Sequence, residues 1–259
     1  MTLENLKNKP LVEAIFEIRW QVEQQNQLTI DSNTQFIFGR LFNSISSEYP
    51  TYEQLPSSVI PDNMAEGLVK HRFRSKEGWP LVQLGTGILT LNDTENYSWV
   101  DFKNRIVYAV NQLYKVHPNQ QEFRPIQLIL RYVDAVDLQS EEDIYKFLEE
   151  KMKINLSLNP LLFQKTLVEE SPIQFDLQFA FKSTKPNGAV NFRLFKGQKI
   201  NNQNNELTEA LIWETTIQSP QSDIPKIPLY LDTWLEDAHS IAHDWFFTLI
   251  EGDLQRRFE

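Results

Sequence analysis

The sequence has no cysteine, which excludes disulfides, thiolate metal sites and a cysteine nucleophile. No apolar run approaches the roughly 18 residues that cross a bilayer. The opening MTLENLKNKP also lacks the apolar stretch of a secretory leader. These absences together lead us to expect a cytoplasmic protein with no membrane partner. Basic charge is in deficit as well: 25 Lys and Arg stand against 35 Asp and Glu, a net charge of −10. Such a chain repels a phosphate backbone at long range, which argues against nucleic acid as a partner. No catalytic motif of any specificity is present. Around Gly85-Thr86-Gly87 neither G-x-G-x-x-G nor G-x-x-x-x-G-K-[S/T] occurs, and both flanks read as strand, so this segment is assigned to backbone packing. The expectation is a non-enzymatic protein with no cofactor.

What is present supports a folded core. Hydrophobic residues make up 41% of the 259, enough to bury a sizeable interior. In LVEAIFEIRW, residues 11–20, apolar and charged positions alternate and predict a half-buried strand. Helical spacing over 34–48, capped by Asp31 or Ser32 and closed by Pro50, predicts a helix. Residues 49–63, with three prolines, read as a surface loop. The one concentrated basic stretch, Lys70, His71, Arg72, Arg74 and Lys76, predicts an edge strand whose charges face water. Residues 79–92 read as one central strand with a bulge at its glycines, and 97–116 as a long amphipathic helix.

The second half repeats that order. Strands are predicted at 125–138, 173–181, 190–195 and 207–217, a helix at 141–152, a turn at 197–205 and a final helix over 232–258. The halves, 1–120 and 121–259, meet near 119–124 and pack as one globular unit. Strand runs followed by helices predict an α+β fold. It is a duplicated strand, helix, antiparallel strands, long helix unit, with its sheet covered on one face by helices, in a TATA-binding-protein-like or helix-grip-like arrangement.

Few residues carry candidate chemistry. His239 and His243 are four apart on the final helix, so both imidazoles share one face at a metal-binding spacing, although Ser240 stands where H-E-x-x-H has Glu. The competing reading has His239 hydrogen-bonded to a strand and His243 partly exposed. Glu13 and Glu17 lie about 13 Å apart on one strand face, too far for a glycosidase pair, and read with Arg19 as a solvated charged row. Arg131 interrupts the apolar LILRYVDAV and requires Asp134 or a carboxylate on a neighbouring strand, or else marks an anion site. With Trp20, Trp99, Phe179 and Trp245 it completes the set of candidate ligand-binding residues, the aromatics lining a space between sheet and long helix.

KPLVEAIFEIRW, WPLVQLGTGILTLN followed by YSWVDF, LRYVDAV, and Ala238-His239 in the last helix run in order along the whole chain. In these motifs the sequence resembles a sporadically distributed family of bacterial proteins of about 250 residues. The resemblance implies a bacterial cytoplasmic protein and brings no catalytic residues with it. The family's patchy distribution implies an accessory role, in phage defence or a toxin/antitoxin-like pair. Asp134 stands where the LRY motif leads one to expect Asn. The leading expectation is therefore a protein-interaction module that binds through its sheet or through the loop 49–63, its partner another protein, such as a neighbouring gene product, or a second copy of itself. Its acidic surface, with 8 Tyr and 6 Trp, suits a basic partner. A sensor for a small molecule or nucleotide is the alternative, and a metal-dependent hydrolase using His239 and His243 the third.

Overall fold

Alternation makes Leu11–Trp20 the strand β1: Ala14, Phe16, Ile18 and Trp20 turn to one side and are buried. This computed structural model describes residues 6–22, 24–26, 29–30, 33–95, 97–118, 120–121, 123–138, 143–200 and 207–259. Strand β1 pairs antiparallel with β7 (Ile88–Asp93) on one side and with β8 (Pro125–Asp137) on the other, placing Phe16 between Leu91 and Leu130. Between β1 and β7 the chain forms a small ribbon, β2 (Gln24–Asn26) with β3 (Thr29–Ile30). It then forms helix α1 (Asn33–Ile45) and strands β4 (Thr51–Gln54), β5 (Val69–Arg74) and β6 (Leu81–Gly85). Helix α2 (Trp99–Val116) leads to β8, followed by helices α3 (Ile144–Met152) and α4 (Leu161–Gln164). Strands β9 (Asp176–Thr184), β10 (Asn187–Ile200) and β11 (Leu207–Pro220) precede helices α5 (Leu231–Ile250) and α6 (Asp253–Phe258). Among the described residues nine strands form one antiparallel sheet in the order β4-β5-β6-β7-β1-β8-β11-β10-β9. The class is α+β, and the ladder is continuous where β1 meets β8.

Helices bury their apolar stripes against one face of this sheet. In α2, Phe102, Ile106, Ala109, Val110 and Leu113 recur at helical spacing. With Leu41 and Ile45 of α1 and Leu235 and Ala238 of α5 they join Phe16, Leu89, Leu91, Leu128 and Leu130 in one core cluster. A second cluster gathers Phe147, Leu148 and Met152 of α3, Ile250 of α5 and Phe258 of α6 over Val136, Leu194, Leu211 and Trp213. Each such side chain contributes about 1.5–3 kcal/mol when fully buried. The start of α3 is capped by Asp143, whose carboxylate accepts from the Tyr145 and Lys146 amides.

Several expectations are corrected. Residues 79–92 form two strands, β6 and β7, joined by a tight turn at Thr86-Gly87, where Gly87 has φ +72°. Gly85 does serve backbone packing, since a Cβ there would lie 1.8 Å from the Leu68 carbonyl oxygen. The region expected to be only a loop, 49–63, holds β4, and β4 rather than the basic β5 lies at the edge. Lys70 is buried, donating to Asp62 and to the Ile60 carbonyl. The strand expected at 173–181 runs three residues later, with Ile173 left 94% exposed. The final helix is interrupted at Gly252, φ +104°, and resumes as α6. The turn expected at 197–205 starts later, since 197–200 continue β10 in register with β11. The rest of that turn, the cap at Asp31 or Ser32, and the first two residues of the helix expected at 141–152 lie outside the described residues.

Candidate functional site

Every second residue of each strand points away from the helices, and cross-strand register aligns these residues into rows. One row runs Glu53, Arg72, Gln83, Thr90, Glu17 across β4, β5, β6, β7 and β1. Another places Arg131 of β8 beside Thr216 of β11 and Asn191 of β10, and a third places Glu214 beside Arg193 and Gln178. Hydrogen bonds join many of them. Arg72 Nε donates to Gln83 at 3.2 Å, the Gln83 amide donates to Asn92 at 3.0 Å, and the Asn92 amide donates to Glu13 at 2.8 Å. Glu17, 7% exposed, holds Arg19 at 2.9 Å and meets Arg131 at 3.7 Å. The charged row of β1 is thus a buried network, not the solvated face expected, because partners on β7 and β8 close over it. Arg131 finds its carboxylate on the neighbouring strand, while Asp134 points to the other side of the sheet.

At the ends of the face, Arg74 and Arg72 hold Glu53, and Arg193 holds Asp176 at 2.7 Å. The Arg74 hydrogen bond keeps the Glu53 carboxyl below its ordinary range, and the Arg193 hydrogen bond does the same for Asp176. The five arginines named, 19, 72, 74, 131 and 193, match five carboxylates, Glu13, Glu17, Glu53, Asp176 and Glu214. In a chain of net charge −10 this set is balanced, so the negative excess lies elsewhere.

On the helix side, His239 of α5 sits over β8. Tyr132 Oη lies 2.9 Å from His239 Nδ1 and 2.9 Å from Tyr97 Oη, and Trp99 stacks on the imidazole at 3.9 Å. Burial, with His243 adding, pushes His239 down to about 4, so the ring is neutral at pH 7. Asp134, 3% exposed, pairs in register with Trp213. Among the described residues neither Asp134 Oδ1 nor Trp213 Nε1 has a hydrogen-bond partner, and burial pushes the carboxyl up to about 8. The gap beside them, lined by Tyr132, Asp134, Thr215, His239, His243 and Phe246 among others, is about 10 Å³, the room of roughly one water.

His239 and His243 share a helix face as their spacing requires, with ring centroids 5.9 Å apart. His239 Nδ1 faces Tyr132, and among the described residues no three His, Asp or Glu gather into a metal-holding group. The candidate aromatics occupy separate places. Trp20 packs on Phe123 at 5.4 Å, Trp99 on His239, and Phe179 stands beside Phe181, which meets Trp245 at 5.5 Å. Arg131 faces away from all of them. A cleft of about 240 Å³ lies instead near the 3-10 turns between β4 and β5, lined in part by Phe38, Asp62, Lys70, His71 and Thr86. Sequence reasoning missed the polar rows, although Gln83, Thr90 and Asn92 inside an apolar stretch were their visible trace. No helix among the described residues is long and apolar enough to cross a membrane. The chain matches no family model and no curated protein sequence.

Proposed function

We propose that this chain is a non-enzymatic protein-interaction module that presents the helix-free face of its sheet to a partner protein. The observation that carries the reading is the set of arginines on that face. Each of Arg19, Arg72, Arg74, Arg131 and Arg193 stands against a carboxylate and keeps part of its side chain exposed. Side chains already held in place lose little rotamer freedom on association, and a guanidinium retains donors for a second acceptor. The small gap between sheet and α5 favours this reading over a sensor with its ligand at that place.

The strand order supports a duplicated fold. On either side of the β1–β8 contact, β5-β6-β7-β1 mirrors β9-β10-β11-β8, and α1 and α2 occupy the chain positions that α3 and α5 take in the second half. We read this as a TATA-binding-protein-like saddle rather than a helix-grip fold, with the arginine-bearing face as its underside. The partner would be a neighbouring gene product in a phage-defence or toxin/antitoxin-like pair.

Charge reversal tests the proposal. A tagged chain recovered from its host should bring down a partner. Arg72→Glu with Arg193→Glu should reduce that recovery about tenfold or more, a loss of about 1.4 kcal/mol. Arg256→Glu on α6 should leave it unchanged. Equal recovery with all three proteins would overturn the assignment of the face.

A further inference from the structure

Natural sheets keep their edge strands short, charged, interrupted by proline or covered, because an open edge pairs with other chains. The two edges of this sheet are unalike. At one end β4 has four residues. At the other, β9 has nine, contains no proline, and leaves Phe179 and Phe181 each 47% exposed. The segment leading into it exposes Leu161, Leu167 and Ile173 as well. An edge this long and this aromatic calls for an occupant.

We propose that β9 pairs antiparallel with β9 of a second copy of the chain, joining two nine-stranded sheets edge to edge. A strand that pairs with itself about a two-fold axis must be self-complementary, and β9 is. With Phe179 on the axis, Asp176 stands opposite Lys182, Leu177 opposite Phe181, Gln178 opposite Ala180, and Phe179 opposite its own copy. Opposite charges and apolar pairs across strands are the stabilising combinations. Moving the axis to Ala180 sets Phe179 against Phe181 but leaves Asp176 against Thr184, Gln178 against Lys182 and Leu177 against Ser183, so the opposite-charge match is lost. The charges are also prepared. Asp176 is held by the diagonal neighbour Arg193 of β10 at 2.7 Å, so its carboxylate is already in place for an incoming lysine. Phe181 meets Trp245 of α5 at 5.5 Å, which puts the phenylalanines on the helix side, where those of two copies would form one apolar cluster. The pairing uses the edge of the sheet and shares with the partner-binding face only Arg193, through its bond to Asp176.

The chain's lack of cysteine makes the register directly readable. In an antiparallel pair, directly opposed Cα atoms lie about 4.5–5.5 Å apart, within disulfide reach. Phe179→Cys should therefore give a disulfide-linked dimer under mild oxidation, and Ala180→Cys should not. Sedimentation of the wild-type chain should show a dimer at rising concentration. Phe179→Glu sets two carboxylates face to face on the axis and should be monomeric, with unchanged circular dichroism and, since Phe179 is half exposed, the melting temperature of the wild type at concentrations where that too is monomeric. A wild-type monomer at every concentration, a dimer that survives Phe179→Glu, or faster cross-linking of Ala180→Cys would each overturn the proposal. So would β9 paired to a strand of a different protein.

Discussion

Replacing Asp134 by Asn should make this protein more stable, and should do so in a pH-dependent way. The carboxyl is buried in register with Trp213, its Oδ1 has no hydrogen-bond partner among the described residues, and burial pushes it from 3.8 up to about 8. Below pH 4 it is protonated whether the chain is folded or not. Between about 4 and 8 the unfolded chain gives up the proton while the folded one keeps it, so stability is lost as pH rises through that interval. One pKa unit corresponds to about 1.4 kcal/mol, so roughly three units give a penalty of ~4 kcal/mol at pH 7, or ~2 kcal/mol once relaxation around the carboxylate is allowed for. His239 acts in the opposite sense. Its imidazole is pushed from 6.5 down to about 4, so its contribution is present above pH 6.5 and lost as pH falls. The two slopes oppose each other between 4 and 6.5, and Asp93, pushed up to about 6, also titrates below the window that matters. From 6.5 to 8 the Asp134 slope stands clear, worth up to about 2 kcal/mol. Urea unfolding at pH 6.5, 7.25 and 8 should show this decline in the wild type and a flat line for Asp134→Asn, the variant being more stable by about 2–4 kcal/mol at pH 8. Parallel curves, or a variant less stable at pH 8, would refute the reasoning.

Three further substitutions follow from the packing, each read by urea unfolding at pH 6.5. Gly85→Ala puts a Cβ 1.8 Å from the Leu68 carbonyl oxygen, which parts β5 from β6 and should cost roughly 3 kcal/mol or more. Lys70→Ala leaves Asp62 without its cation, with Thr86 still donating at 2.9 Å, and should cost about 3 kcal/mol, whereas Lys76→Ala on the following exposed turn should be within ~0.5 kcal/mol of wild type. Tyr132→Phe removes the hydroxyl shared by Tyr97 and His239 and should cost about 1–3 kcal/mol.

Elements whose apolar residues recur on one face were legible in the sequence. In β1 the alternation survives because Phe16 and Ile18 face helices, and in α2 the stripe from Phe102 to Leu113 matches the turn of the helix. Residues 79–92 were not legible because both faces of β6 and β7 are buried. Without alternation the turn at Thr86-Gly87 leaves no break in the pattern. The burial of Lys70 depends on Asp62, supplied by a turn outside the strand, so charge alone read as exposure. The polar rows depend on register. The Asn92 to Glu13 bond spans 79 positions and the His239 to Tyr132 contact spans 107, separations at which a single sequence carries no pairing signal. That His239 meets a strand was foreseen; which tyrosine it meets required the fold.

The most direct test of the central claim is native mass spectrometry of the tagged chain recovered from its host, run beside the Arg72→Glu, Arg193→Glu double variant. The account predicts a second protein in stoichiometric amount on the wild type and its loss from the variant. A wild-type chain carrying only a small-molecule adduct, or a partner retained equally by the variant, would contradict it.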